Sequence, residues 1–234
     1  MKRDHSPVLP GDGATDYARY MRLETLLDLQ RRPEQVVHRD ELLFQVVHQA
    51  AELWLKLATA ELTEAAARLD ADDPAAAVPL LDRATLGIRL VTDQLEMFRH
   101  LAPEDFQAMQ PALGNGSGAE SPGWRHVQSA SRRLGRAFAD HLTRQRIDLS
   151  ALRARNPTEP LHRLAEAMVE WDERVALWRV RHYQVAIRIG GHGVAGTAGS
   201  PANVLVRLID HRFFPELWRL RRNAAAATAD VAAS

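Results

Sequence analysis

Most of the chemistry this chain could do near neutral pH rests on its ten histidines, and two of them sit where a ligand could use them. His182 lies in "LWRVRHYQVAIRIG". It belongs to the row Val175, Trp178, His182, Val185 and Ile189, whose steps of 3, 4, 3 and 4 place all five on one helix face. His48 lies in "DELLFQVVHQAAELW", one turn after Phe44 and one turn before Glu52, among mostly apolar neighbours. An imidazole on an apolar face has two readings. It is a core residue satisfied by one hydrogen bond, at little cost, or a neutral nitrogen donor kept for a ligand. Two such residues on separate long helices strengthen the second reading without removing the first. His5 lies near the start of the chain. His100, His141 and His211 fall near expected helix ends, where solvation or capping is the ordinary role.

The absent motifs narrow the chemistry. The zinc-protease spacing H-E-x-x-H does not occur. A di-iron helical bundle needs two Glu-x-x-His motifs, and only Glu159–His162 fits, with Pro160 inside it. The chain has no cysteine, which excludes disulfides, iron–sulfur clusters, cysteine zinc sites, thiolate-ligated haem and covalent C-x-x-C-H haem attachment. A buried neutral imidazole can still hold the iron of a non-covalent haem from one face. A second imidazole on the other face could then orient or deprotonate a substrate. Periodicity permits this geometry without establishing it.

Composition bounds the partners. The formal net charge is zero, so there is no electrostatic case for nucleic acid. With 46% hydrophobic and 26% charged residues, 234 residues suffice for one large folded domain. "MKRDHSPVLPGDGATD" has basic residues but no apolar core after them, and no run approaches 18 apolar residues. A cytoplasmic location with no membrane partner is expected.

The elements that must position the histidines are helices. Residues 16–30 space Tyr17, Tyr20, Leu23, Leu26 and Leu27 on one side. Residues 40–69 form a long helix with Phe44, Val47, Leu53 and Leu57 toward the core. Further helices are expected over 76–101, over 121–145 opening on Ser-Pro, near 160–190 and over 202–221. No run carries strand alternation. The fold class is therefore all-α, a helical bundle forming a single domain over 16–222. Residues 1–15 and the Ala-rich tail 223–234 are expected to be poorly ordered. The Gly- and Ser-rich stretches 112–123 and 190–201 read either as linkers or as loops that cover a site.

Six stretches, taken in order, resemble the tryptophan 2,3-dioxygenase family of haem enzymes. They are "DYARYMRLETLL", "HRDELLFQVVHQAAELWLKL", "LAPEDFQAMQPALGNGSGAESPGWR", "LWRVRHYQVAIRIG", "GTAGS" and "FFPELWRLR", which together cover most of 16–221. The resemblance implies a helical bundle enclosing a non-covalent haem b, with His182 as the axial iron ligand. It implies that His48 is the catalytic distal histidine facing the indole N–H and that Phe44 packs against the indole ring. Phe106, Gln110, Arg125 and Thr197 fall at substrate-side positions, Thr197 matching the threonine that binds the substrate ammonium and carboxylate. Tyr17, Tyr20 and Met21 match positions that reach into a neighbouring subunit's pocket, which implies a homo-oligomer, dimer or tetramer. The implied partners are O2 and an indole substrate. The implied reaction adds O2 across the C2–C3 bond of tryptophan or a derivative to give an N-formylkynurenine-type product.

The departures from the family pattern bear on the substrate. The family's Tyr-x-x-x-Arg pair, whose arginine clamps the carboxylate, reads Phe106-Gln-Ala-Met-Gln110. The register is fixed by Leu113, Gly114, Ser117, Gly118, Ser121 and Arg125, which all align. Removing one partner of a buried Arg–carboxylate pair costs roughly 3–5 kcal/mol. A neutral amide returns about 0.5–1.5 kcal/mol, so the loss wins unless Arg99 or Arg125 swings in. In the loop, an extra residue precedes the motif, Ala198 replaces a glycine and Pro201 follows Ser200. Alternatives left open are a haem-dependent monooxygenase of an indole or aromatic amino acid, and a haem-binding protein without turnover.

Overall fold

The computed structural model describes residues 11, 13–114, 116–154, 156–190 and 203–222. Helices carry most of them, and no strand occurs among the described residues. Two short helices, α1 (Asp16–Met21) and α2 (Leu23–Leu27), precede the first long one, α3 (Glu41–Asp70). Then come α4 (Pro74–Asp93), α5 (Pro103–Leu113), α6 (Pro122–Arg144), α7 (Pro160–Gly190), α8 (Asn203–Ile209) and α9 (215–222). The long helix α3 packs along both α4 and α6, and α4 packs along α7. The all-α bundle expected from periodicity is what forms.

The chain turns sharply at helix starts for local reasons. Asp73 accepts a hydrogen bond from the Ala76 N–H at 3.1 Å, with Pro74 in the first helical position of α4. Ser121 and Pro122 repeat the device at α6. Between the long helices Leu55, Leu62, Leu81, Ile88, Leu134 and Trp171 are fully buried. Each such side chain contributes roughly 1.5–3 kcal/mol relative to exposure. Trp171 bridges α7 to α6, its Nε1–H donating to Ser131 Oγ at 3.1 Å.

The structure departs from the sequence expectations in several places. The helix expected over 16–30 is broken at Arg22, which adopts a left-handed conformation (φ 52°, ψ 46°). Pieces this short gain little from helix propagation, and no residue of α1 or α2 is buried to compensate. Leu53 and Leu57 lie on the outer side of α3, 53% and 42% exposed, because the core side of that helix is built by Leu55, Ala58 and Leu62. The helix expected over 76–101 ends at Asp93 and tightens into a 3₁₀ segment, Gln94–His100. The segment expected as one helix over 202–221 is α8 and α9 joined by a corner. Asp172 holds that corner by accepting from the N–H groups of Phe213 (2.8 Å) and Phe214 (3.1 Å) and from Trp218 Nε1–H (3.0 Å). Arg179 adds bonds to the carbonyls of Leu208 and His211, both 2.8 Å. His141 is buried rather than solvated, donating from Nδ1 to Asp72 at 3.0 Å. The ends 1–10 and 223–234, and most of the second glycine-rich loop (191–202), lie outside the described residues.

Glycines separate tight from loose packing. A Cβ on Gly123 would sit 2.6 Å from Glu52 Oε2 and 2.8 Å from Leu55 Cβ, whereas one on Gly87 would meet Trp54 O at 3.6 Å. Gly123→Ala is therefore expected to destabilise the fold by about 1–3 kcal/mol through overpacking. Gly87→Ala, gaining helix propensity, should be neutral or stabilising by up to about 1 kcal/mol. Urea unfolding of the two variants beside the parent measures both; equal midpoints would refute the assignment.

Candidate functional site

A second apolar cluster lies apart from the main core. The first turns of α3, the 94–100 segment, α5 and the last turns of α7 bring together Val47, Leu95, Phe98, Met109, Val185 and Ile189. Phe44, Phe106 and Trp178 pack around them, and Trp178 touches both clusters. The row predicted on α7 holds: Val175, Val185 and Ile189 are buried, with Trp178 and His182 partly buried between them.

On α3, His48 is flanked by aromatic rings. Phe44 lies 4.2 Å away between centroids and Phe98 5.7 Å, while Phe106 lies 6.1 Å from Phe44. The Nδ1–H of His48 donates to the Phe44 carbonyl at 2.8 Å, one turn back on the same helix. In the neutral ring this bond assigns the proton to Nδ1 and leaves Nε2 as an acceptor. His48 as a residue is solvent-exposed. Desolvation lowers its pKa from the ordinary 6.5, against the pull of the Phe44 carbonyl and the Glu52 charge.

On α7, His182 has a buried Nδ1 that makes no hydrogen bond. Desolvation, and then a charge on His48, push its pKa down to about 4. The His48 charge is thus close enough to oppose protonation of His182, which is a neutral base at any pH above about 5. Trp178 stacks on its ring at 5.0 Å with 6° between planes, and Trp124 lies 4.0 Å from Trp178.

The loop before α6 is anchored from α3. Glu52 accepts from the Gly123 N–H at 2.8 Å and from Ser121 Oγ–H, and Ser121 Oγ accepts from the Trp124 N–H at 3.1 Å. A carboxylate here also meets the positive end of the helix.

Of the residues singled out from sequence, Phe44, His48, Phe106 and His182 come together at this end of the bundle. Gln110 is exposed on α5, one turn beyond Phe106, and Arg125 is exposed in the first turns of α6. Arg99 is engaged by Glu96 at 3.0 Å, and Glu96 also pairs with Arg181. Tyr17, Tyr20 and Met21 are 64%, 61% and 48% exposed on α1. Thr197 lies outside the described residues. Sequence reasoning passed over Trp124 altogether and gave Trp178 and Glu52 no role of their own. Trp178 was legible as the residue one turn before His182, but Trp124 and Glu52 act across helices, which spacing does not show.

Among the described residues no group of three His, Asp or Glu could hold a bare metal ion. No described helix is long and apolar enough to cross a membrane.

The model of the tryptophan 2,3-dioxygenase family matches residues 4–136, from before α1 into α6. The tryptophan 2,3-dioxygenase of Myxococcus xanthus is 28% identical over 94% of this chain and 94% of its own length. That of Arthrobacter sp. is 29% identical over 88% of this chain and 90% of its own. That of Bradyrhizobium sp. is 30% identical over 89% and 92%. The family model reaches Phe44, His48 and Gln110 and stops short of His182, while these relatives align over nearly the whole length. A match over more than half of the chain, on a bundle that gathers two neutral histidines and three phenylalanines at one end, makes this chain a member of the tryptophan 2,3-dioxygenase family.

Proposed function

We propose that this chain is a haem-dependent dioxygenase that adds both atoms of O2 across the indole C2–C3 bond of tryptophan or a tryptophan-derived substrate. The product is of the N-formylkynurenine type. The observation that carries the proposal is His182: a neutral imidazole, its buried Nδ1 without a partner, at an apolar cluster it shares with His48. This donor set fits haem b. A lone imidazole cannot hold a bare ion, but it completes a porphyrin that brings four nitrogens of its own. The aromatic and aliphatic lining suits the macrocycle, and the absence of cysteine leaves non-covalent binding as the mode.

His182 would hold the iron of the haem, which would supply the O2 chemistry. The remaining work belongs to the chain. Phe44 packs against the indole ring and fixes its plane. His48 accepts the indole N–H at Nε2, because its own proton is committed from Nδ1 to the Phe44 carbonyl. Its lowered pKa keeps that acceptor available at neutral pH. One backbone carbonyl thus ties the two substrate-facing side chains together. Phe98 and Phe106 extend the apolar surface beside Phe44. Thr197, outside the described residues, is assigned to the ammonium and carboxylate by its match to the family's loop threonine. The exposed Tyr17, Tyr20 and Met21 supply a neighbouring subunit's pocket in a homo-oligomer, which accounts for an α1 that buries nothing on its own chain.

The test is turnover of haem-reconstituted, reduced protein with ¹⁸O2 and a panel of tryptophan, tryptophan esters, tryptamine and indole. A ring-opened product carrying two labelled atoms is expected. A hydroxylated or oxindole product with one labelled atom, or no turnover of any indole, would overturn the reading.

A further inference from the structure

Trp178 sits one turn before His182 on α7, and their rings are parallel within 6° at 5.0 Å. An imidazole on a helix has two soft torsions, and among the described residues no hydrogen bond at its buried Nδ1 orients this ring. In most metal-binding histidines that second nitrogen donates to a carbonyl or carboxylate, which sets the ring plane. Here the orienting contact is the flat face of an indole.

The indole is itself held. Trp124 lies 4.0 Å from Trp178, and Trp124 is fixed by the start of α6, where Ser121 and Gly123 are bound by Glu52 of α3. A line of contacts therefore runs from the helix carrying His48, through Glu52, Trp124 and Trp178, to His182. The Trp178 side chain also carries an unmet demand, since its Nε1–H is buried without an acceptor. A phenylalanine would fill apolar space there without that penalty. The larger flat surface, able to reach both Trp124 and His182, is what the indole adds.

We propose that Trp178, braced by Trp124, is a positioning residue that sets the plane of the His182 imidazole and hence the direction in which its other nitrogen meets iron. The proposal rests on His182 being the haem ligand. It concerns orientation, which can fail while ligation stands.

The test uses haem-loaded Trp178→Leu, Trp178→Phe and Trp124→Leu proteins, with helix content checked by circular dichroism. The readouts are the iron–histidine stretching band of the reduced protein by resonance Raman and the rate of haem transfer to apomyoglobin. Trp178→Leu is expected to broaden or split the band and to speed haem loss by about 10-fold, the size usual when a residue orienting a metal-binding histidine is removed. Trp178→Phe, which keeps a flat ring but gives up the indole's reach to Trp124, should narrow the band back toward the parent's without fully restoring it. Trp124→Leu should broaden the band more weakly. A Trp178→Leu protein with the parent's band and haem-loss rate overturns the proposal. If that variant does not fold, a parental band in Trp124→Leu overturns it. A His182→Ala protein that keeps the iron–histidine band would instead overturn the ligand assignment beneath it.

Discussion

Replacing His182 with alanine is expected to abolish haem incorporation. The parent, supplemented with haem and freed of excess, should show one Soret-absorbing haem per chain. The variant should show none that survives gel filtration. The drop in affinity should exceed the roughly 10–100-fold seen when only a residue supporting a metal ligand is lost. The fold should survive, because the ring is partly buried and its buried nitrogen makes no hydrogen bond that the bundle would miss. An acid titration of the apo chain separates this from misfolding. The folded pKa of about 4 lies below the unfolded value near 6.5, so the unfolded chain binds a proton in that window and the folded chain does not. Above pH 6.5 the group contributes no slope. As pH falls toward 4 the parent loses stability on this account, by up to about 3 kcal/mol. The variant should lack that part of the acid slope while unfolding cooperatively. Full haem occupancy with an unchanged spectrum in His182→Ala would refute the assignment.

The row on α7 was legible in the sequence because a long helix with one packed face must repeat every three to four residues, and Val175, Val185 and Ile189 do. The helix order and the positions of α3, α4, α6 and α7 followed from the same rule. The outward turn of Leu53 and Leu57 did not, since α3 faces the main core with one stripe and the second cluster with another, and periodicity cannot say which neighbour each stripe meets. The break at Arg22 was hidden for a related reason: amphipathic spacing over 16–30 describes a face, and that face finds no partner on its own chain. The Phe44 to His48 carbonyl bond is local and could be drawn from an i, i+4 pair. The Glu52 to Ser121 bond joins residues 69 apart and had no local trace.

Gln110→Arg is expected to raise the preference for free tryptophan over its uncharged analogues. Gln110 follows Phe106 by one turn on α5, so the two share a face, and Phe106 already belongs to the aromatic group around Phe44. The nearby cation Arg99 is held by Glu96, which also pairs with Arg181. Glu96 has its pKa lowered first by its bond to Arg99, so at neutral pH it stays charged and keeps both arginines occupied. Moving Arg99 to a substrate carboxylate would therefore break a pair to make one. A glutamine at position 110 offers the carboxylate a neutral donor, and an arginine offers a two-pronged charged one. A hydrogen bond to a charged group contributes about 1.5–3 kcal/mol against about 0.5–1.5 for a neutral one. Because Gln110 is exposed, solvent screening takes the lower end of that difference. The variant should lower KM for L-tryptophan by about 3- to 5-fold, with little change for tryptamine or the methyl ester, which lack the carboxylate. Because the gain is made equally in the ground state and the transition state, it should appear in KM and leave kcat nearly alone. Equal effects on tryptophan and its ester would show that residue 110 does not meet the carboxylate. A parent that already prefers free tryptophan as strongly as the variant would show that another group, with Thr197 the first to examine, has taken over the clamp.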